Sequence, residues 1–182
     1  MKKEIYKYMY VFIIIYVLID LFIQMDFKNI SCSLVLDTIH NNIIQYTLLF
    51  MFFVYEKWLW KCMPFHDIPK LHKKYEGTLK SSYDNKERNI YVKINQTLFR
   101  TSITIKTDES KSHTIVANFD ITDNYKRLIY TYHNEAKAEY NKRSPQHYGT
   151  TILDVENKNE LTGKYYTERN TTGDIKLHKT NN

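Results

Sequence analysis

The stretch from Arg88 to Gln96, RNIYVKINQ, puts Ile90, Val92 and Ile94 on one side and Asn89, Tyr91, Lys93 and Asn95 on the other. A period of two, with β-branched residues on the apolar side, is the pattern of a strand with one face buried and one wet. The same pattern recurs on both sides of it, which predicts strands at Tyr75–Tyr83, Arg88–Gln96, Leu98–Thr107, His113–Ile121, Leu128–Lys137, His147–Val155, Glu160–Glu168 and Asp174–Lys179. Turn-forming residues separate them at Asp84-Asn85-Lys86, Asp108-Glu109-Ser110, Asp123-Asn124, Glu156-Asn157-Lys158-Asn159 and Thr172-Gly173. None of Pro64, Pro69 and Pro145 interrupts a run. Connections this short cannot hold crossover helices, so successive strands are antiparallel, and eight in a row close up to remove the two sheet edges. The expectation for residues 64–182 is a small antiparallel eight-stranded β-barrel, with an interior just wide enough for side chains or one small ligand.

Before Met63 the pattern is different. From Tyr8 to Met25 the chain is apolar except for one ionisable residue, Asp20. At about 1.5 Å per residue it nearly matches a hydrocarbon layer of about 30 Å, so it predicts a spanning helix. It ends in Gln24-Met25-Asp26-Phe27 and not in the small residues of a cleavage site, which argues against a secretory signal. A second segment runs from Asn42 to Met63, with its purely apolar centre at Leu48 to Val54 and Tyr55, Trp58 and Trp60 as an interfacial belt at one end. Residues 1–63 therefore read as a two-helix transmembrane module, an α-hairpin.

Lys2, Lys3 and Lys7 precede the first segment and Lys57 and Lys61 lie at the end of the second, whereas the connecting loop is mixed in charge. The positive-inside bias then puts both chain ends, and the barrel, on the cytoplasmic side of the membrane. Tyr16, Asp20 and Gln24 are spaced four apart and form a polar stripe on one helix face. One reading is a self-association face, since polar side chains in a membrane find partners across helices; the other is tolerated polarity near the outer interface. Cys32 lies between the two apolar segments and Cys62 at the end of the second; if both segments span, the two cysteines lie on opposite sides of the bilayer and cannot pair.

Charge narrows the partners. Residues 1–63 hold six Lys/Arg and five Asp/Glu, so the remainder carries 20 and 15 of the chain's 26 and 20, five of its six net positive charges. That excess favours a small anion or anionic lipid headgroups. It falls short of the clustered basic stripe of a DNA- or RNA-binding protein.

Alternation assigns inward faces: Ile90, Val92, Ile94, Gln96; Phe99, Thr101, Ile103, Ile105; Ile115, Ala117, Phe119; Tyr130, Tyr132, Asn134; His147, Gly149, Thr151, Leu153; Tyr165, Thr167, Arg169; Ile175, Leu177. Each list is apolar at one end and polar at the other. Gln96, Thr101, Tyr132, Asn134, His147, Tyr165, Thr167 and Arg169 are therefore expected at one mouth of the barrel. Such a cavity suits a compact anion carrying planar rings: Arg169 for phosphate, tyrosines for ring faces, Asn134 and Gln96 for ring edges. Plainer roles stand beside these, with strand tyrosines as packing, Arg169 as a solvated charge and His147 as a structural hydrogen bonder. No His, Cys or carboxylate set has metal-ligand spacing, no Gly-rich phosphate loop exists among four glycines, and no activated Ser or Cys arrangement is visible. The chain reads as a binder without a cofactor and not as an enzyme. A lipocalin-like carrier of an apolar ligand and a protein-binding scaffold remain as alternatives.

Several stretches carry a resemblance when taken in order: Ile94-Asn95-Gln96-Thr97; Leu128-Ile129-Tyr130-Thr131-Tyr132-His133-Asn134-Glu135; His147-Tyr148-Gly149-Thr150; and Leu161-Thr162-Gly163-Lys164-Tyr165-Tyr166-Thr167-Glu168-Arg169 followed by Thr172-Gly173-Asp174-Ile175. Through them the whole chain resembles the two-transmembrane, β-strand-rich effectors found beside cyclic-oligonucleotide synthases in bacterial CBASS antiphage operons. The resemblance implies a cytoplasmic barrel that binds a cyclic dinucleotide made by the neighbouring cyclic-nucleotide synthase after phage infection. It further implies that binding drives homo-oligomerisation of the membrane segments, inner-membrane disruption and death of the infected cell.

Overall fold

The structure is a computed structural model that describes residues 42–63, 67–142 and 144–180, with positions 14–16, 18, 19, 22, 33, 36 and 40 before them. The chain divides into two units, 1–57 and 58–182. In the first, α1 (Ile43–Lys57) is apolar on every side and exposes Leu48, Phe50 and Met51. Gln45 Nε2 donates to Tyr16 Oη at 2.9 Å, joining α1 to a helical residue of the preceding segment. Asp20 and Gln24, the rest of the expected stripe, and most of the first expected span lie outside the described residues. The second span was expected to run to Met63. The helix instead stops at Lys57, because Trp58 leaves helical geometry at φ −132° before a 3-10 turn at Leu59–Lys61. Its 15 residues cover about 22 Å at 1.5 Å each. Among the described residues no helix is long and apolar enough to cross a membrane.

The second unit is a closed antiparallel barrel of eight strands in chain order, in which β8 returns to pair β1. They are β1 (Lys74–Ser81), β2 (Glu87–Gln96), β3 (Thr101–Lys106), β4 (Ser110–Ile121), β5 (Lys126–Ala136), β6 (His147–Asp154), β7 (Glu160–Thr167) and β8 (Thr172–Lys179). All eight strands read from the sequence are present. Alternation is cleanest in β2, whose Ile90, Val92, Ile94 and Gln96 are buried between exposed neighbours, and in β5, where Leu128, Tyr130, Tyr132 and Asn134 are buried. The buried apolar residues of this inward parity belong to one core.

Three departures from the sequence reading have local causes. A bulge between Thr114 and Val116 shifts the register of β4 against β5, so Ile115, expected inside, is 51% exposed, and Ser112 and Ala117 flank the shift on the inner side. Phe99 lies in the β2–β3 connection and not on a strand, at 44% exposed. The last turn falls at Glu168–Thr171, with Asn170 in the left-handed region at φ 56°, and Gly173 lies in β8 without a positive φ.

Strand direction defines the two ends. One end carries Gln96 paired with Thr101, Ile121 with Lys126 and Glu160 with His178. It is plugged. Leu71 is buried there, its N–H donates to Gln96 Oε1 at 3.0 Å, and Gln96 Nε2 donates to Pro69 O at 2.8 Å. Tyr75 Oη donates to Lys158 O at 2.8 Å beside buried Val155. Leu128, Leu153, Leu161, Ile90 and Ile175 are buried in the interior. The other end, where β1, β3, β5 and β7 finish, is open.

Candidate functional site

The open end holds a cavity of about 130 Å³, small beside the roughly 300–1,000 Å³ usual for small-molecule sites and open to solvent at its mouth. Tyr132, Asn134, His147, Tyr165, Thr167 and Arg169 line it. Gln96 and Thr101 do not. β2 runs away from this mouth and β3 begins at the far end, so their polar ends lie at the plugged end, where Gln96 holds the Pro69–Leu71 segment. The cavity is completed by Arg88, Ser112, Ser81, Thr107 and Glu109, which the sequence reading passed over, and by Thr151, which it read as inward-facing but not as part of the site. Arg88 carries the parity of Ile90, Val92 and Ile94 two residues toward the mouth, and that is the signal that identifies it.

Two tyrosines present ring faces for the same reason. Tyr132 faces Gly149 across β5 and β6, and a Cβ on Gly149 would sit 2.4 Å from Tyr132 Oη. Tyr165 faces Gly173 across β7 and β8, and a Cβ there would sit 2.4 Å from its Cε1. Glycine lets each ring lie down over the neighbouring strand instead of standing into the cavity. Burial pushes the Tyr132 phenol well above its ordinary value, with its neighbours Tyr130 and Tyr165 adding to the shift. Burial raises Tyr165 too, against a hydrogen bond with Ser81 and the positive charge of Arg88. Both rings therefore stay neutral at physiological pH.

The polar lining has three parts. Ser112 Oγ donates to Asn134 Oδ1 at 2.8 Å across the β4–β5 ladder, and both side chains are buried. Deeper, Thr151 lines the cavity fully buried, opposite Tyr130 in the β5–β6 register, and neither Thr151 Oγ1 nor Tyr130 Oη has a partner of hydrogen-bonding geometry. Burial pushes the Tyr130 phenol up to about 12, with the nearby Thr151 hydroxyl pulling the other way. At the rim stand two arginines.

Arg88 is engaged by carboxylates: Nη1 and Nη2 donate to Asp84 Oδ1 and Oδ2 at 3.1 and 2.5 Å, and Nε lies 3.6 Å from Glu109 Oε2. Arg169 Nη1 instead sits 3.4 Å from each of Ser144 Oγ, Pro145 O and His147 Nδ1, and no carboxylate pairs with it among the described residues. Its charge is available to an anion. Thr167 holds it in place: Thr167 Oγ1 accepts from the N–H groups of Arg169 at 3.3 Å and Thr171 at 3.4 Å, which fixes the turn that carries the guanidinium. His147 Nδ1, 2.9 Å from Pro145 O, fastens the facing loop. In chemical terms the site combines one unpaired cation at the rim, two neutral ring faces on the walls and a buried hydrogen-bonding floor.

Residues 66–179, which contain the whole barrel, match the family described as Cap15, cyclic dinucleotide receptor domain. The chain is also similar to CD-NTase-associated protein 15 of Staphylococcus schleiferi, with 37% identity over 145 residues, covering 76% of this chain and 79% of that protein.

Proposed function

This chain belongs to the Cap15 family of CBASS effectors, and from that membership we propose that its open cavity binds a cyclic dinucleotide and signals to the membrane segments. The observation that carries the reading is the pairing of an uncompensated Arg169 with the ring faces of Tyr132 and Tyr165 in one cavity. Phosphate meets guanidinium, bases meet aromatic faces, and base edges meet the buried amide and hydroxyls. These residues bind and orient; nothing in the proposal requires a bond to be made or broken, so the chain acts as a receptor and not as an enzyme. An apolar carrier would want aliphatic walls, and a scaffold a filled interior; Asn134, Ser112 and Thr151 around open space favour neither.

The output is the N-terminal part. α1 exposes apolar side chains all round, which supports a lipid environment, and the Gln45–Tyr16 hydrogen bond supports a hairpin held by polar contacts. We read the protein as an inner-membrane effector with both termini cytoplasmic. Ligand made by a neighbouring cyclic-nucleotide synthase favours an assembled state of the segments, and assembly disrupts the membrane and kills the infected cell. For this the ligand must bind the assembled state more tightly than the resting one.

The test is calorimetry on the full chain in detergent micelles with cyclic di-GMP, cyclic di-AMP and cyclic GMP–AMP. At least one should bind saturably, and Arg169→Ala should weaken it about tenfold or more, as expected for a charged hydrogen bond, without lowering the melting temperature. Silence across all three ligands, or full affinity in Arg169→Ala, counts against the site.

A further inference from the structure

On the outside of the barrel, two pairs of lysines stand directly opposite each other: Lys74 with Lys93 across β1 and β2, and Lys106 with Lys111 across β3 and β4. Like charges in that register repel and cost stability. Other outward cations are offset by carboxylates. Lys80 faces Glu87 and Asp174, Arg127 faces Asp120 and Asp154, and Lys164 faces Asp174. Lys111 likewise has Glu135 on its other side. Lys74, Lys93 and Lys106 are exposed, and none of them is in an ion pair among the described residues. These three line an open groove of about 370 Å³ with Tyr91, which is 60% exposed, and with Glu76, whose Oε1 lies 3.5 Å from His178 Nε2. The groove shares no residue with the cavity at the mouth.

We propose that this face docks on anionic phospholipid headgroups of the bilayer that holds the apolar segments. The proposal rests on the membrane part of the reading above and not on the ligand cavity. The residue types select a lipid surface. Lysine ammonium groups on flexible stems meet phosphates as point charges and offer no planar fork to a base edge, which argues against a nucleic acid. Tyr91, two residues from Lys93 and opposite Lys106, presents an apolar ring with a polar tip, the side chain favoured in a headgroup layer. Lys74 opens β1, and residues 58–73 tie it covalently to α1, so the groove stays within one short tether of the bilayer. An anionic layer over the paired lysines relieves their repulsion. The arrangement is therefore unfavourable on an isolated barrel and favourable against an anionic cytoplasmic leaflet.

The experiment reads lysine acylation rates by mass spectrometry, with the full chain in lipid nanodiscs of phosphatidylcholine alone or of equal parts phosphatidylcholine and phosphatidylglycerol. Lys74, Lys93 and Lys106 should react about fivefold more slowly in the anionic discs, while Lys164 and Lys176 react equally in both. Raising the salt to about 1 M, where the Debye length is about 3 Å, should remove the difference. The double variant Lys93→Gln, Lys106→Gln should return Lys74 to its rate in phosphatidylcholine and melt no lower than the wild type, because it removes repulsion; a merely structural role would lower the melt. One rate for the three lysines in both discs, or protection of Lys74 that persists in the double variant, overturns the docking face and leaves the membrane and receptor readings standing. Protection of the three by a single-stranded oligonucleotide in phosphatidylcholine discs overturns the lipid assignment in favour of a nucleic acid. A chain that enters neither disc overturns the membrane reading and the docking face together.

Discussion

Asp84 gives both carboxylate oxygens to Arg88, and those hydrogen bonds, more than the surrounding charge, hold its carboxyl down at about 2. The folded value is thus below that of an unfolded aspartate, about 3.9. The stabilisation is therefore fully present above roughly pH 4 and disappears as the pH falls through about 2. Circular-dichroism melts of the full chain should show a fall in melting temperature across that window, and Asp84→Asn should remove that part of the acid slope. An acid profile unchanged by the substitution would mean that Arg88 draws its support from Glu109 alone. Arg88 also shows how legible single residues were. It stands in RNIYVKINQ on the same parity as Ile90, so its place in the cavity was there to be read. What the sequence did not reveal was its company, because Asp84 sits in a turn and Glu109 in another loop. Arg169, by contrast, was legible as a rim cation, but Thr167 as its brace was not.

At the scale of elements, strand positions were readable nearly to the residue because one wet face and one buried face impose a strict period of two. The error lay in direction. Polar ends of inward lists alternate between the two mouths as strands alternate in sense, and that places Gln96 and Thr101 opposite Asn134 and Thr167. The bulge at Ile115 was invisible for a different reason. It depends on the pairing of β4 with β5 and on the short β3, where the Thr114 hydroxyl bonds both Ile103 N–H and Ile103 O and stands in for ladder contacts. The plug gives a direct test of the corrected placement. Gln96→Ala strands the buried Leu71 N–H and should cost about 1–3 kcal/mol of stability in denaturant titrations. Ligand affinity should stay within about twofold. A large loss of affinity at unchanged stability would return Gln96 to the binding site.

For the whole molecule, the two units set different problems for a reader of sequence. The barrel's pattern is local and repeated, so its closure followed from counting strands. The apolar segments announce their solvent and not their assembly. If ligand binding favours the assembled state, analytical ultracentrifugation of the full chain in micelles should show larger particles when a cyclic dinucleotide is added and no change for Arg169→Ala. A particle of constant size in the presence of bound ligand would place the output in a change within one chain. The plug at the far end matters here too, through Leu71, Gln96 and Tyr75. Among the described residues it makes the barrel a blind tube with a single doorway. A second messenger molecule cannot push the first out from behind, so the resident has to leave by the way it entered before another takes its place. The lifetime of the signal at each receptor is then set by the escape rate of its own ligand, however much competitor surrounds it.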